Sequence, residues 1–357
     1  MEAKAKTKSI GETTGKLSFS QKIKNLTDTN LLLSITVIVF LLMYLGAVLF
    51  MGEGFQKSQT FFNILNANAA LILTSCGMSI VMITGGIDIS VGGVVALVSM
   101  CSAVYLDYHD GNVFGAILIS LAIGLAFGLV QGFLVAYLDI QPFIVTLAGL
   151  FFARGMTTIV HSDPFNVQNA AFTALKNHRV VIPGMGYINK LGKYIDAYVE
   201  IGVVVALLIV VLLYAMLKWS KLGRSFYAVG GNAQSALMLG INVKRTKFIS
   251  HMLCGLLAGV AGFVYFLHVG SGAPTHAAGM EMNAIASSII GGTMLTGGVG
   301  NIIGTLFGVL SLSTIQNIVA SAGLDQAWWT GITIAAMLCL FLVVQSIIMA
   351  HKRKASN

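Results

Sequence analysis

The sequence predicts an all-α, polytopic membrane protein of about ten transmembrane helices with both termini cytoplasmic, and three observations carry that prediction. Of 357 residues, 56% are hydrophobic and only 10% are charged. The mean hydropathy is +0.86, too apolar a balance for one soluble core. The apolar residues gather into runs long enough to cross a hydrocarbon layer of about 30 Å at about 1.5 Å per helical residue. Lys and Arg, finally, segregate into alternate connections between those runs.

Taken in order, residues 1–30 form a polar, basic tail, in which 16–26 suit a short amphipathic helix on the membrane surface. The apolar run after it is too long for a signal core and lacks a small-x-small cleavage site. Spans are predicted at 31–51, 64–84, 91–107, 112–137, 143–160, 200–217, 248–269, 283–296, 301–321 and 329–350. The third and eighth are short with glycine-rich ends, which makes each a candidate for a re-entrant or broken helix. Residues 31–350 thus form one transmembrane domain, with an outer loop at 161–199, an inner loop at 218–247 and a basic tail at 351–357.

Charge sets the orientation. Segments 1–30, 218–247 and 352–354 hold six, six and three Lys or Arg, whereas the loops of opposite sidedness hold five: Lys57, Lys176, Arg179, Lys190 and Lys193. Positive residues stay on the cytoplasmic side, so both termini are expected there. The acidic residues Glu53, Asp107, Asp110, Asp163, Asp196, Glu200, Glu281 and Asp325 fall on the outer side. The net charge of +8 therefore reads as a topology signal, and no nucleic-acid surface is expected.

Enzyme chemistry finds no footing. Cys76, Cys101, Cys254 and Cys339 lie in apolar spans at spacings that fit neither a disulfide framework nor a metal site, and the seven His are scattered. Residues 11–17, Gly-Glu-Thr-Thr-Gly-Lys-Leu, miss the phosphate-loop pattern by one residue of spacing and by Leu17 where Ser or Thr is required. An intramembrane aspartyl protease needs two facing aspartates, and only Asp88 is placed for that role. No catalytic residue, metal or cofactor of the chain itself is expected.

A solute pathway fits better. Asn66, Asn68, Thr74, Ser75, Ser79 and Thr84 stud the second span, and polar groups at membrane depth must face other helices or water. Ser and Thr satisfy themselves on their own helix, which leaves Asn66 and Asn68 as pathway candidates, two residues apart and on different helix sides. Arg154 is the one Lys or Arg inside a predicted span. It needs helix-end carbonyls or a carboxylate such as Glu281 as partner, or snorkels to the interface. Glu281 and Asn283 open the eighth span, where they meet solute or cap a helix. Gly124, Gly128 and Gly132, like Gly300, Gly304 and Gly308, recur every fourth residue and mark close helix contacts. Residues 83–93 are echoed at 289–298, hinting at duplicated halves.

The hairpin Gly85-Gly86-Ile87-Asp88-Ile89-Ser90-Val91-Gly92-Gly93 admits two compatible roles. Asp88 caps the helix that starts near Ser90, or the four glycines let an inner gate flex. Together with residues 141–149 (Gln-Pro-Phe-Ile-Val-Thr-Leu-Ala-Gly), Arg154-Gly155, Gly223-Arg224, residues 228–232 (Ala-Val-Gly-Gly-Asn), Gly240-Ile241, residues 258–262 and 290–293, it resembles the bacterial monosaccharide ABC permeases over residues 60 to 350. Residues 150–155 and Trp328-Trp329-Thr330 are most similar to the galactofuranose-type member, with ribose and galactose or fructose permeases as near relatives. Ile89 stands where the family commonly has Leu.

The resemblance implies a plasma-membrane permease that pairs with itself or another permease, with two cytoplasmic ATP-binding subunits and an extracytoplasmic sugar-binding protein. ATP would be bound by the partner. The inner loop then offers a coupling element: Gly223, Gly230 and Gly231 as breaks, a short helix over 233–239 centred on Ala236, and Gly240-Ile241 beyond it, with Arg224 and Asn232 anchoring its ends. Without the resemblance, the same loop reads as a solvated segment that sets topology. A branched-chain amino acid permease and an ion-coupled carrier are the alternatives.

Overall fold

The computed structural model describes residues 28–188, 194–324 and 326–356. The expected surface helix at 16–26 and the rest of residues 1–27, with Lys190, Lys193, Asp325 and Asn357, lie outside them. The charge count orients the inner and outer sides.

Apolar runs become helices in the expected order: α1 (Asp28–Phe50), a turn of helix α2 (Glu53–Gln56), α3 (Ser58–Ile83), α4 (Val91–Tyr108), α5 (Val113–Ala136) and α6 (Pro142–Val160). After an outer segment come α8 (Ile201–Trp219), the inner helices α9 (Lys221–Gly231) and α10 (Ala233–Met238), and α11 (Val243–Val269). The chain closes with α12 (Met280–Ile290), α13 (Ile302–Ser321) and α14 (Ala327–Ser356). Among the described residues nine helices are long and apolar enough to span a membrane. The protein is thus an all-α polytopic membrane protein.

The eighth expected span, a candidate for a broken helix by its glycine-rich end, is broken. Residues 283–296 do not form one span: α12 has 11 residues, about 16 Å at 1.5 Å per residue. It stops at Gly291, followed by Gly292 at φ 87° and, further on, Gly297 and Gly298 at φ 83° and 76°, a left-handed run that helical backbone cannot follow. On its outer side, residues 273–279 reach α12 without helix. The eighth crossing is therefore half non-helical and half helix, a form tolerated at membrane depth only where protein covers the backbone. The third span, by contrast, is the unbroken α4.

The outer loop also differs from expectation. It carries strand β1 (Phe165–Asn166), helix α7 (Ala170–Asn177) and a hairpin of β2 (Arg179–Ile188) with β3 (Tyr194–Glu200). β1 pairs antiparallel with β4 (Ser271–Gly272), Phe165 opposite Gly272. Gln59 fastens the hairpin to α3 by accepting from Tyr198 N at 2.9 Å, which explains why α3 begins six residues before the apolar run. Arg179 stacks on the Tyr198 ring at 4.1 Å.

Helix α3 is the axis of the bundle: from Ile72 to Ile83 every residue is buried. Around it, α5 packs on α11 through the first glycine strip. A Cβ at Gly124 would meet Gly255 O at 2.5 Å, and one at Gly128 Met252 O at 2.8 Å. The second strip, Gly304 and Gly308, lies on the backbone of Gly291 and Ser287 of α12. Between α3, α12 and α13 a chain of buried hydroxyls replaces lipid contact: Ser79 Oγ meets Ser288 Oγ at 3.0 Å and Thr305 Oγ1 at 2.6 Å. Large apolar side chains of α1, α5 and α6, such as Leu49, Phe114 and Phe151, are exposed, as lipid-facing positions are.

Candidate functional site

Three places depart from simple crossing, and the expected functional residues sort into them. At the inner end, Ser220 caps α9 by accepting from Gly223 N at 2.9 Å. Gly223 and Gly230 lie inside this helix, which corrects the expectation that they break the chain. Both are needed for close approach: a Cβ on Gly223 would strike the backbone of Leu217, and one on Gly230 the carbonyl oxygen of Ile83. Tyr227 donates its hydroxyl to Gly300 O at 2.9 Å. Burial, with the neighbouring Tyr214 adding to it, pushes the phenol up to about 12, so it remains a donor at any physiological pH.

Asn232 ends α9 and caps α10, its Oδ1 accepting from Ser235 N at 2.8 Å. Past α10, Gly240 turns at φ 80°, and Ile241 N donates to Ala236 O at 3.0 Å. Ala236 faces inward, 2% exposed, while Leu237, Met238 and Leu239 stand out at 62%, 84% and 79%. Beside them opens a cavity of about 710 Å³ lined by Asp139, Gln234, Ile241, Lys244 and Lys247, among others. Arg224 does not anchor α10: it sits in the first turn of α9 and reaches Trp219 O at 3.4 Å.

Gly230 and Gly231 touch two further backbones. Gly298 N donates to Ile83 O at 2.9 Å, and Gly297 lies against Gly230 and Gly85. The two echoing segments therefore meet each other and the end of α9 at one point.

In the hairpin of residues 84–90, Asp88 is 1% exposed. Its Oδ1 accepts from Ser90 N at 3.0 Å and Ser90 Oγ at 2.6 Å, fixing the turn that launches α4, while the Ser90 hydroxyl also lies 3.1 Å from Gln131 Oε1. Gly85 takes φ 85°, and Gly86 packs among Val81, His251 and Pro142. Gly92 and Gly93 belong to α4 and are not hinge positions: the first is covered by the Glu281 carboxylate, the second by Leu150 and Ala153. Gln131 and the buried His251 around this hairpin escaped sequence reasoning. A lone amide and a lone imidazole inside otherwise apolar spans were the available signals.

The third place is the broken crossing. Arg154, on α6, donates to His276 O at 2.5 Å and Ala277 O at 2.8 Å, with Pro274 O further off at 3.4 Å. Carbonyls of a stretch outside any helix thus supply the partner this cation requires. Ala277, at φ 52°, is held in the left-handed region by that contact and by the Tyr265 hydroxyl, 3.4 Å from its N–H. Glu281 presses on the start of α4 and forms no ion pair with Arg154. Asn66 proves structural, accepting from Glu200 N at 2.9 Å beneath the outer hairpin. Asn68 and Asn283 instead share an outer cleft of about 330 Å³ with Thr275 and Tyr265.

Residues 60–342 match the family described as branched-chain amino acid transport system / permease component. The chain belongs to this family. Among its relatives, the inner membrane ABC transporter permease protein YjfF of Escherichia coli K12 is 37% identical over 316 residues, covering 88% of this permease and 92% of the relative. The fructose import permease protein FruG of Bifidobacterium longum is 35% identical, with 89% and 91% covered. The ribose import permease protein RbsC of Escherichia coli K12 is 34% identical, with 78% and 84% covered. No solved structure matches the permease. As a permease component it is a transport subunit without catalytic residues of its own.

Proposed function

We propose that this permease conducts a monosaccharide into the bacterial cytoplasm across the plasma membrane, as one of a homo- or heterodimeric pair driven by separate ATP-binding subunits and fed by an extracytoplasmic sugar-binding protein. The observation that carries the reading is the similarity, across nearly the whole length, to permeases named for fructose and ribose import. It favours a sugar over the amino acid in the family's description. Residues 150–155 and 328–330 narrow the choice toward a galactofuranose-type substrate.

The inner geometry supports ATP coupling. Three exposed apolar residues in a row, Leu237 to Leu239, beside a basic cavity at the inner face make a docking knob rather than a solvated loop. Asn232, Ala236, Gly240 and Ile241 hold the knob's shape. Gly223, Gly230 and Gly231 seat α9 on the bundle, with Arg224 at its outer surface.

The test is uptake of labelled sugars, with leucine included, in vesicles that hold the permease and its partners. ATP-dependent uptake of one pentose or hexose is expected, and it should vanish in Gly240→Arg while the complex still assembles. Uptake of leucine alone, or uptake indifferent to ATP, would overturn the proposal.

A further inference from the structure

The outer cleft is built for a small neutral ligand, and its chemistry is unusual for its depth. It lies between α3 (Ala67, Asn68, Leu71), Tyr265 of α11, the non-helical stretch (Thr275, Ala277, Ala278) and the start of α12 (Met280, Asn283). Asn68 is ten residues into α3 and about 6 Å inside the apolar run that begins at residue 64. Two carboxamides and a hydroxyl at such depth are costly against lipid and call for a polar occupant. One N–H of the Asn68 amide is committed to Ile64 O at 2.8 Å, which leaves its other N–H to donate and its carbonyl oxygen to accept. Asn283 brings both a donor and an acceptor.

No lining residue is charged. The one nearby cation, Arg154, is spent on the carbonyls of the stretch itself. The lining itself therefore offers a carboxylate or an ammonium no charged contact, whereas a ring carrying hydroxyls on its rim and C–H groups on its faces finds a match for each. The amides and Thr275 address hydroxyls. Leu71, Met280 and the Tyr265 ring address the C–H faces, and Ala67, Ala277 and Ala278 leave room for close approach. The volume, about 330 Å³, is at the lower end of small-molecule sites.

We infer that Asn68, Thr275 and Asn283 form a transit site for one monosaccharide ring on the outer side of the broken crossing. The inference rests on the sugar-permease reading and adds to it where within this chain the sugar is held. The hydroxyls trade water for amides here, so loss of an amide slows entry without touching ATP hydrolysis.

The experiment compares wild type with Asn68→Leu, Asn283→Leu and the rescue variant Asn283→Ser in assembled transporter, reading labelled-sugar uptake and ATP hydrolysis stimulated by the loaded binding protein. The expected result is a roughly tenfold loss of uptake per Leu variant, partial recovery with Ser, and stimulated hydrolysis unchanged. In Thr275→Cys, with Cys101 and Cys339 replaced by Ser, a membrane-impermeant thiol reagent should react and block uptake, a readout that survives if a Leu variant fails to assemble. Normal uptake in both Leu variants, labelling without effect on uptake, or a thiol in the Thr275→Cys variant that reacts only by cross-linking to a second permease copy would overturn the transit site and leave the sugar reading standing. Absence of sugar uptake by wild type would instead remove that reading.

Discussion

Replacing Arg154 by Met probes the least regular part of the fold. The guanidinium makes two well-formed hydrogen bonds, to His276 O at 2.5 Å and Ala277 O at 2.8 Å, and the contact with Pro274 O at 3.4 Å is too long to count for much. Bonds to a charged group contribute about 1.5–3 kcal/mol each, so about 3–6 kcal/mol is lost. Removing a cation from membrane depth returns about 2.5–3.5 kcal/mol. At the midpoints of the two ranges the net loss is about 1.5 kcal/mol, and it falls on residues 273–279. That is roughly a tenfold rise in the population of the opened segment. Ala273, 7% exposed, reports it: in an Ala273→Cys variant lacking Cys101 and Cys339, Arg154→Met should raise the rate of labelling by an impermeant thiol reagent by that factor. Arg154→Lys should not restore protection, because a point charge cannot span two carbonyls as a planar fork does. Unchanged labelling in the Met variant, or full protection in the Lys variant, would refute the assignment of Arg154 as the clamp of this segment.

Other outcomes follow from the same geometry. Gly230→Ala places a methyl into the Ile83 carbonyl and should unseat α9, cutting uptake tenfold or more while the partner's ATP hydrolysis continues, measured side by side in proteoliposomes. The paired change Leu237→Asp and Met238→Asp alters only exposed positions. It should leave the detergent-solubilised melting point within a degree or two and abolish co-purification of the ATP-binding subunit. Gly128→Ala puts a Cβ 2.8 Å from Met252 O and 2.9 Å from His251 O. Overpacking of that kind costs about 1–3 kcal/mol, visible as a lower melting temperature, and an unaltered melt would show that α5 and α11 do not depend on this strip.

Most of the bundle is legible in the sequence because lipid enforces a simple rule: a run that must cross has to be apolar and helical. The runs at 31–51, 112–137 and 200–217 return as α1, α5 and α8 within a few residues. The glycine strips were legible for the same reason, since only contact with another backbone rewards a bare face every fourth residue. The rule fails where protein replaces lipid. Residues 273–279 carry Pro274 and Gly279 and were expected outside any helix, but nothing local shows that Arg154 and the start of α4 cover them, so the crossing was placed at 283–296 alone. Polar starts are hidden likewise: Gln59 and Asn66 interrupt no helix, because their partners arrive from β3, 139 and 134 residues away. Asn66 and Asn68 were alike by sequence, and only the position of Glu200 separated the structural amide from the one in the cleft. Within α9, Gly223 and Gly230 resemble breaks until the neighbours they admit are known.

The meeting of Ile83, Gly230 and Gly298 has a mechanical consequence. Three strands of backbone bear on one another there with no side chain between them, and such a joint has no compliance to absorb a displacement. A push delivered to α9 cannot be taken up by a rotamer change, and it arrives undiminished at the turn after α3 and at the turn before α13. Those turns hold the two echoing segments, residues 83–93 and 289–298, which are thereby tied to each other at the inner face by the bond from Gly298 N to Ile83 O.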